Sequence, residues 1–173
     1  HIGKPKLHRL MLKDRLADLD AINRVSQTLV AQNDLIPLIQ AVGEQIRAMF
    51  DVSVVYISLL DTQTNLLHFY FQYENEQPVQ SSPIPYGVGM TSRVMELRHP
   101  VLINSDWVRL AAEYNVYYDD DLPAKASLTV PLLVGEKAIG VISLQDMARE
   151  NIFTDSHVRQ LTTIAANLAI AID

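Results

Sequence analysis

Gly87-Val88-Gly89 stands directly before a short helical stretch, residues 90–97, that carries Arg93. Two glycines at a helix start let the backbone approach a ligand closely, and the free N–H groups there suit an anion that Arg93 would pair with. The same three residues fit an ordinary turn, Arg93 fits a solvent-facing helix position equally well, and no further glycine completes a dinucleotide fingerprint. A second polar set, Ser127, Thr129, Ser143 and Gln145, interrupts two otherwise apolar strands on which Pro131 removes a ladder donor. These groups either line a cavity on one face of a sheet or are satisfied hydroxyls beside a bulge. Asp119, Asp120 and Asp121 lack the alternating ligands and later glutamate of a calcium loop, and read as a solvated acidic turn. The sequence holds no nucleophile elbow, His/Glu metal spacing or P-loop, so no catalytic and no metal-ligating residue is assigned.

The 173 residues, 49% of them hydrophobic, suffice for one filled core and not for two ordinary domains. A formal charge of −6 argues against a phosphate-backbone partner, so nucleic acid is not expected as the ligand. The chain has no cysteine, which removes disulfides, thiolate metal sites, cysteine nucleophiles and thioether-attached cofactors. No apolar run approaches the ~18 residues that span a bilayer, and the amino-terminal residues lack a signal-peptide core. The expectation is a cytoplasmic piece without membrane contact, cut through helices at both ends.

Two elements must hold the polar strand residues in place. Residues 127–134 and 137–145 read as strands joined by a tight turn at Gly135-Glu136, and being apolar at nearly every position they belong in the middle of a sheet. Before them, residues 7–32 contain neither Gly nor Pro and place Leu12, Leu16, Leu19, Ile22, Val25 and Leu29 three or four apart, the pattern of one amphipathic helix that opens as a coiled-coil seam. Asp34 can cap a second helix running to Phe50, with Pro37 in its first turn. Residues 51–60 and 66–74 are strands; on the first, Val54, Tyr56 and Ser58 share one face, while on the second His68, Tyr70 and Gln72 alternate with Leu67, Phe69 and Phe71. Residues 100–103 form a short strand, residues 104–106 offer helix caps, and residues 107–114 a short helix with the only tryptophan, Trp107. Tyr114, Tyr117 and Tyr118 fit either a lid or rings packed on the domain's flank. Thr154 caps a last helix in which Val158, Leu161, Ala165, Leu168 and Ile172 follow a heptad seam to the end.

This order of elements resembles the GAF domain, carried by Gly87-x-Gly89 before a short helix, Pro100-Val-Leu-Ile103 followed by Asp106, Ser127 to Pro131, and Gly140-Val-Ile-Ser-Leu144. The resemblance covers residues 34–173, leaving 1–33 as a linker or signalling helix. It implies an α+β, PAS-related fold: an antiparallel sheet of about six strands with long helices on one face and short helices and loops over a pocket on the other. Family members bind cyclic nucleotides, tetrapyrroles, haem or small metabolites. Here Gln145-Asp146 replaces the Asn-Lys pair of the cyclic-nucleotide members and His157-Val158 their Asp-Glu, although Phe153 is kept. Covalent bilin attachment and the free methionine sulfoxide reductase chemistry of related members both use cysteines. Asp121-Leu122-Pro123 is similar to the Asp-Ile-Pro of phytochromes, but its spacing to the hairpin is too short to carry roles over. Haem would need an axial ligand from His68, His99 or His157, each better read as an exposed or core-edge side chain.

The resemblance therefore implies a non-enzymatic sensor of a small molecule, with the cofactor unassigned, inside a signal-transduction protein of histidine kinase or nucleotide cyclase type. The pocket is expected from Tyr56, Ser58, Tyr70, Met90, Thr91, Arg93, Trp107, Tyr117, Thr129 and Ser143. A homodimer is expected through Leu12, Leu16 and Leu19 and through Val158, Leu161, Ala165, Leu168 and Ile172. The alternative is a ligand-free dimerisation and relay scaffold whose pocket is filled by its own aromatic rings.

Overall fold

The computed structural model describes residues 35–117 and 123–173. Helix α1 (Leu35–Met49) buries the stripe Leu38, Ile39, Val42, Gly43 and Ile46, with Pro37 in the first turn, where a missing N–H costs no helix bond. Asp34, the expected cap, and the seam positions Leu12, Leu16 and Leu19 lie outside the described residues, as do Tyr118 and Asp119 to Asp121. There follow β1 (Val54–Asp61), β2 (Leu66–Glu74), two-residue strands β3 (Gln77–Pro78) and β4 (Ile84–Pro85), α2 (Gly89–Leu97), β5 (Val101–Ile103), α3 (Trp107–Ala112), β6 (Ala126–Val134), β7 (Lys137–Asp146) and α4 (Asp155–Ile172). The fold is α+β.

All the strand pairs are antiparallel. Their order is β3-β2-β1-β7-β6-β5, with β4 also on β2, so the β6–β7 hairpin lies inside the sheet, as its two-sided apolar pattern requires. Gly135 supplies the left-handed turn residue, at φ 61°. Pro131 falls beyond the three residues of β6 that β5 reaches, so its missing N–H interrupts no bond to β5. The hairpin's irregularity lies one step on, between Leu132 and Leu133, rather than at the proline.

One face of the sheet carries the main core. Val55, Ile57, Phe71, Leu128, Val130, Leu132, Ile142 and Leu144 meet α1 and α4. Helix α1 lies so close that a Cβ on Gly43 would come 2.4 Å from the Phe71 ring. On α4 the heptad spacing serves this core: Leu161, Ala165 and Leu168 are fully buried against the sheet, and Val158 and Ile172 pack at its margin. The seam expected to pair with a second copy is therefore covered, fully at Leu161, Ala165 and Leu168 and in part at Val158 and Ile172, by the domain's own sheet. A 3-4 spacing marks one apolar stripe without saying what covers it.

The loop from β7 to α4 is tied down by Asp146. Its buried carboxylate accepts the N–H groups of Ala148 (2.9 Å) and Arg149 (2.8 Å) at Oδ1 and the Arg149 guanidinium (2.8 Å) at Oδ2. Arg149 in turn donates to the Asp51 carbonyl, joining this loop to the start of β1. Burial pushes the Asp146 carboxyl up, but the Arg149 and backbone hydrogen bonds and the Arg149 charge outweigh it and hold it below the ordinary aspartate range.

Gly43→Ala should lower stability in urea by about 1–3 kcal/mol, because the added methyl overlaps a ring that cannot retreat into a packed core. For Asp146, a lowered folded-state value means its contribution is complete above the ordinary carboxylate value of about 4 and is lost as pH falls through the folded value. Denaturation midpoints of the parent protein should fall over that acidic window, and Asp146→Asn should flatten this component.

Candidate ligand site

The second face of the sheet is built by the same register. Thr129, Ser143 and Tyr56 stand directly opposite one another on β6, β7 and β1, with Val101 and Gln72 extending the row on β5 and β2. The row on one side is Ser127, Gln145 and Val54; on the other, Pro131, Val141 and Ser58. By the period of two, all of these side chains share the face away from α1 and α4. They are roofed by α2 and α3 through a second core of Leu67, Val94, Met95, Val101, Ile103, Trp107, Ala111 and Val141.

Hydroxyls hold the roof to this floor. The Tyr56 hydroxyl and Thr91 Oγ1, from α2, are 2.6 Å apart, and the Trp107 indole N–H, from α3, donates to Ser127 Oγ at 2.8 Å. Within the floor, Thr129 Oγ1 and Ser143 Oγ pair at 2.9 Å. The Tyr56 ring also stands edge-on to Phe69, with centroids 5.4 Å apart. Ser58 is fully buried, and its Oγ has no hydrogen-bond partner among the described residues.

The start of α2 follows from its sequence. Val88 offers no side-chain cap, so the turn is closed by Ser92 Oγ accepting the Gly87 N–H at 2.9 Å. Gly89, at φ 89°, takes a conformation that L side chains rarely adopt. Met90 packs partly against the second core. The Arg93 guanidinium sits 3.6 Å from the Glu96 carboxylate, one turn further along α2, and its Nε is buried without a hydrogen-bond partner among the described residues.

Of the expected pocket residues, Tyr56, Ser58, Thr91, Trp107, Thr129 and Ser143 come together, with Met90 and Arg93 on the flank of α2. Tyr70 does not. A bulge in β2 opposite Ile57 and Ser58 inserts one residue, so Tyr70 turns to the helix-side core while Gln72 stays on the site face. Tyr117 is 72% exposed. The histidines lie elsewhere: His68 beside Tyr70, His99 exposed, and His157 closing a capping box with Thr154. Ser127, named above among the polar strand residues, was left out of the expected pocket, and Ser92 was not named at all. Ser127 was detectable, since it is two residues from Thr129 and so on its face, whereas Ser92 acts through a backbone contact that no spacing announces.

A family model described as GAF domain matches residues 32–173. The formate hydrogenlyase transcriptional activator of Salmonella typhimurium is 24% identical over 154 residues; the match covers 86% of this chain, which spans only 22% of that regulator's length. Among solved structures, the GAF domain of an Acinetobacter phosphoenolpyruvate-protein phosphotransferase superposes with a TM-score of 0.70 at 21% identity, covering 89% of this chain and 91% of that one. The free methionine-R-sulfoxide reductase of Neisseria meningitidis, solved with its substrate, has a TM-score of 0.66 at 15% identity, covering 99% of this chain and 93% of that one. With the family model matched from residue 32 through residue 173, the chain belongs to the GAF domain family, whose members are found in signalling and regulatory proteins.

Proposed function

We propose that this domain is a small-molecule-sensing module of a longer signal-transduction protein, with its ligand held between the hydroxyl-bearing face of the sheet and the short helices α2 and α3. The observation that carries the reading is Ser58, a fully buried hydroxyl left without a partner among the described residues in a floor where Thr129, Ser143 and Ser127 are all bonded. Such a group costs about 1–3 kcal/mol unless something bonds it. Because Tyr56 and Ser127 hold α2 and α3 down, a ligand competing for these hydroxyls would displace the helices and bias one arrangement over another.

Residues 34–173 form the sensing unit of this proposal and residues 1–33 its linker. It works in the cytoplasm, where the output is of histidine kinase or nucleotide cyclase type or, as the matched regulator suggests, transcriptional activation. No helix among the described residues is long and apolar enough to cross a membrane. The module itself is read as non-enzymatic: it lacks the cysteines that the resemblance assigns to the sulfoxide reductase branch. Association with a second copy stays part of the reading and is measured by sedimentation equilibrium. Leu161 and Leu168 are unsuitable positions for testing it, because a charge there would break the core.

A ligand-free relay is the second reading. It is favoured by the pairs Tyr56–Thr91, Thr129–Ser143 and Trp107–Ser127, in which the site's own side chains satisfy one another.

Native mass spectrometry of the purified protein, followed by denaturation to release and weigh any co-purified molecule, decides between the two. The sensor reading expects a defined added mass or a thermal shift with a metabolite; silence in both assigns the relay. Ser58→Ala should leave the thermal midpoint of the ligand-free protein unchanged or raised and remove a ligand-induced shift. Thr129→Val, which strands the Ser143 hydroxyl, should cost about 1–3 kcal/mol in urea denaturation.

A further inference from the structure

Asn104, in the loop between β5 and α3, stands where a helix cap for α3 is expected, but its side chain faces the other way. Its Nδ2 donates to the Phe153 carbonyl at 2.9 Å, and its Oδ1 accepts the Phe153 N–H at 3.1 Å, so one carboxamide grips both backbone groups of a residue 49 positions away. The Asn104 carbonyl accepts the Asn151 N–H at 2.7 Å, and two residues on, the Asp106 N–H donates to Glu150 at 3.2 Å. Phe153 is the residue immediately before Thr154, the cap of α4; it is buried in the helix-side core with its ring edge-on to His157, 6.1 Å between centroids. On its other side, Asn104 is three residues from Trp107, which anchors α3 to Ser127.

We propose that Asn104 is the coupling residue between the two faces of the sheet: a displacement of α3 from the floor is carried through the Asn104–Phe153 clasp to the first turn of α4. Two antiparallel bonds to one residue act as a miniature strand pair, so Phe153 cannot move relative to Asn104 without losing both. A competing route exists through β6, since its Ser127 bonds Trp107 of α3 on one face while its Leu128, Val130 and Leu132 belong to the core shared with α4 on the other. Among the described residues, three links join the β5–α3 loop to the segment before α4: the Asn151 N–H on the Asn104 carbonyl, the Asp106 N–H on Glu150, and the clasp, which alone of the three bonds Phe153, the residue adjoining the Thr154 cap. The inference concerns mechanical coupling alone and holds whether the displacing agent is a ligand or a neighbouring segment.

The test needs no ligand. Ser127→Ala removes the acceptor of the Trp107 indole and loosens α3; Trp107→Phe does the same from the other partner if the serine variant fails to fold. Hydrogen–deuterium exchange of the 173-residue protein is then measured for residues 107–112 and residues 158–161, with and without Asn104→Ala. Asn104→Asp, which keeps the acceptor and loses the donor, is the milder second background. With Asn104 present, loosening α3 should accelerate exchange in both segments, on the order of three- to tenfold in residues 158–161. Without the clasp, those amides should already exchange faster, and loosening α3 should add nothing further there. Equal acceleration in both backgrounds would assign the coupling to β6 or to the neighbouring Asn151 and Glu150 bonds and overturn the proposal, and so would a response confined to residues 107–112. A ligand search that finds nothing leaves this result untouched, so the coupling and the sensor reading fail separately.

Discussion

The structure depends on a central hairpin that is buried on both faces. Strands β6 and β7 lie inside the sheet, so each alternate side chain must find a partner above or below. On the helix side the solution is aliphatic: Leu128, Val130, Leu132, Ile142 and Leu144 are covered by α1 and α4. On the other side, Ser127, Thr129 and Ser143 are equally buried, and being polar they must be bonded. Thr129 and Ser143 bond each other, Trp107 bonds Ser127, and on the neighbouring β1 Tyr56 bonds Thr91, so the short helices are positioned by hydrogen bonds as well as by apolar contact.

That division explains why the two layers differ in character. The helix layer is a continuous apolar interface in which α4 commits three successive seam positions, and a large rearrangement there would expose leucines. The layer of α2 and α3 is held by a smaller apolar core together with a few specific polar pairs, each of which another polar group could replace. Asn104 and the Asp146–Arg149 network fasten the loops that run between the two layers.

The fold was largely legible because its signals are local. Gly135-Glu136 between two β-branched runs, the apolar stripe of α1 and the Thr154 cap each specify their element with little help from elsewhere. The site was legible where the period of two applies without interruption, which placed Tyr56, Ser58, Thr129 and Ser143 on one face. It failed at Tyr70, because a bulge in β2 shifts the alternation by one residue and nothing in residues 66–74 announces it. It failed at Asn104 as well. A residue of that type before a helix reads as a cap, yet the partner it chose was 49 residues away.

The amino-acid sequence by itself determined the elements, the hairpin at the middle of the sheet, the hydroxyls on one face of it and the absence of cysteine chemistry. These follow from spacing and residue type, which the chain carries locally. Only the tertiary structure decided that the heptad stripe of α4 faces its own sheet, that Tyr70 leaves the site, that Ser58 alone of the floor hydroxyls has no partner among the described residues, and that Asn104 holds the start of α4. The reason is common to all four. A stripe, a register or a polar group specifies what it needs, and long-range packing chooses which neighbour supplies it.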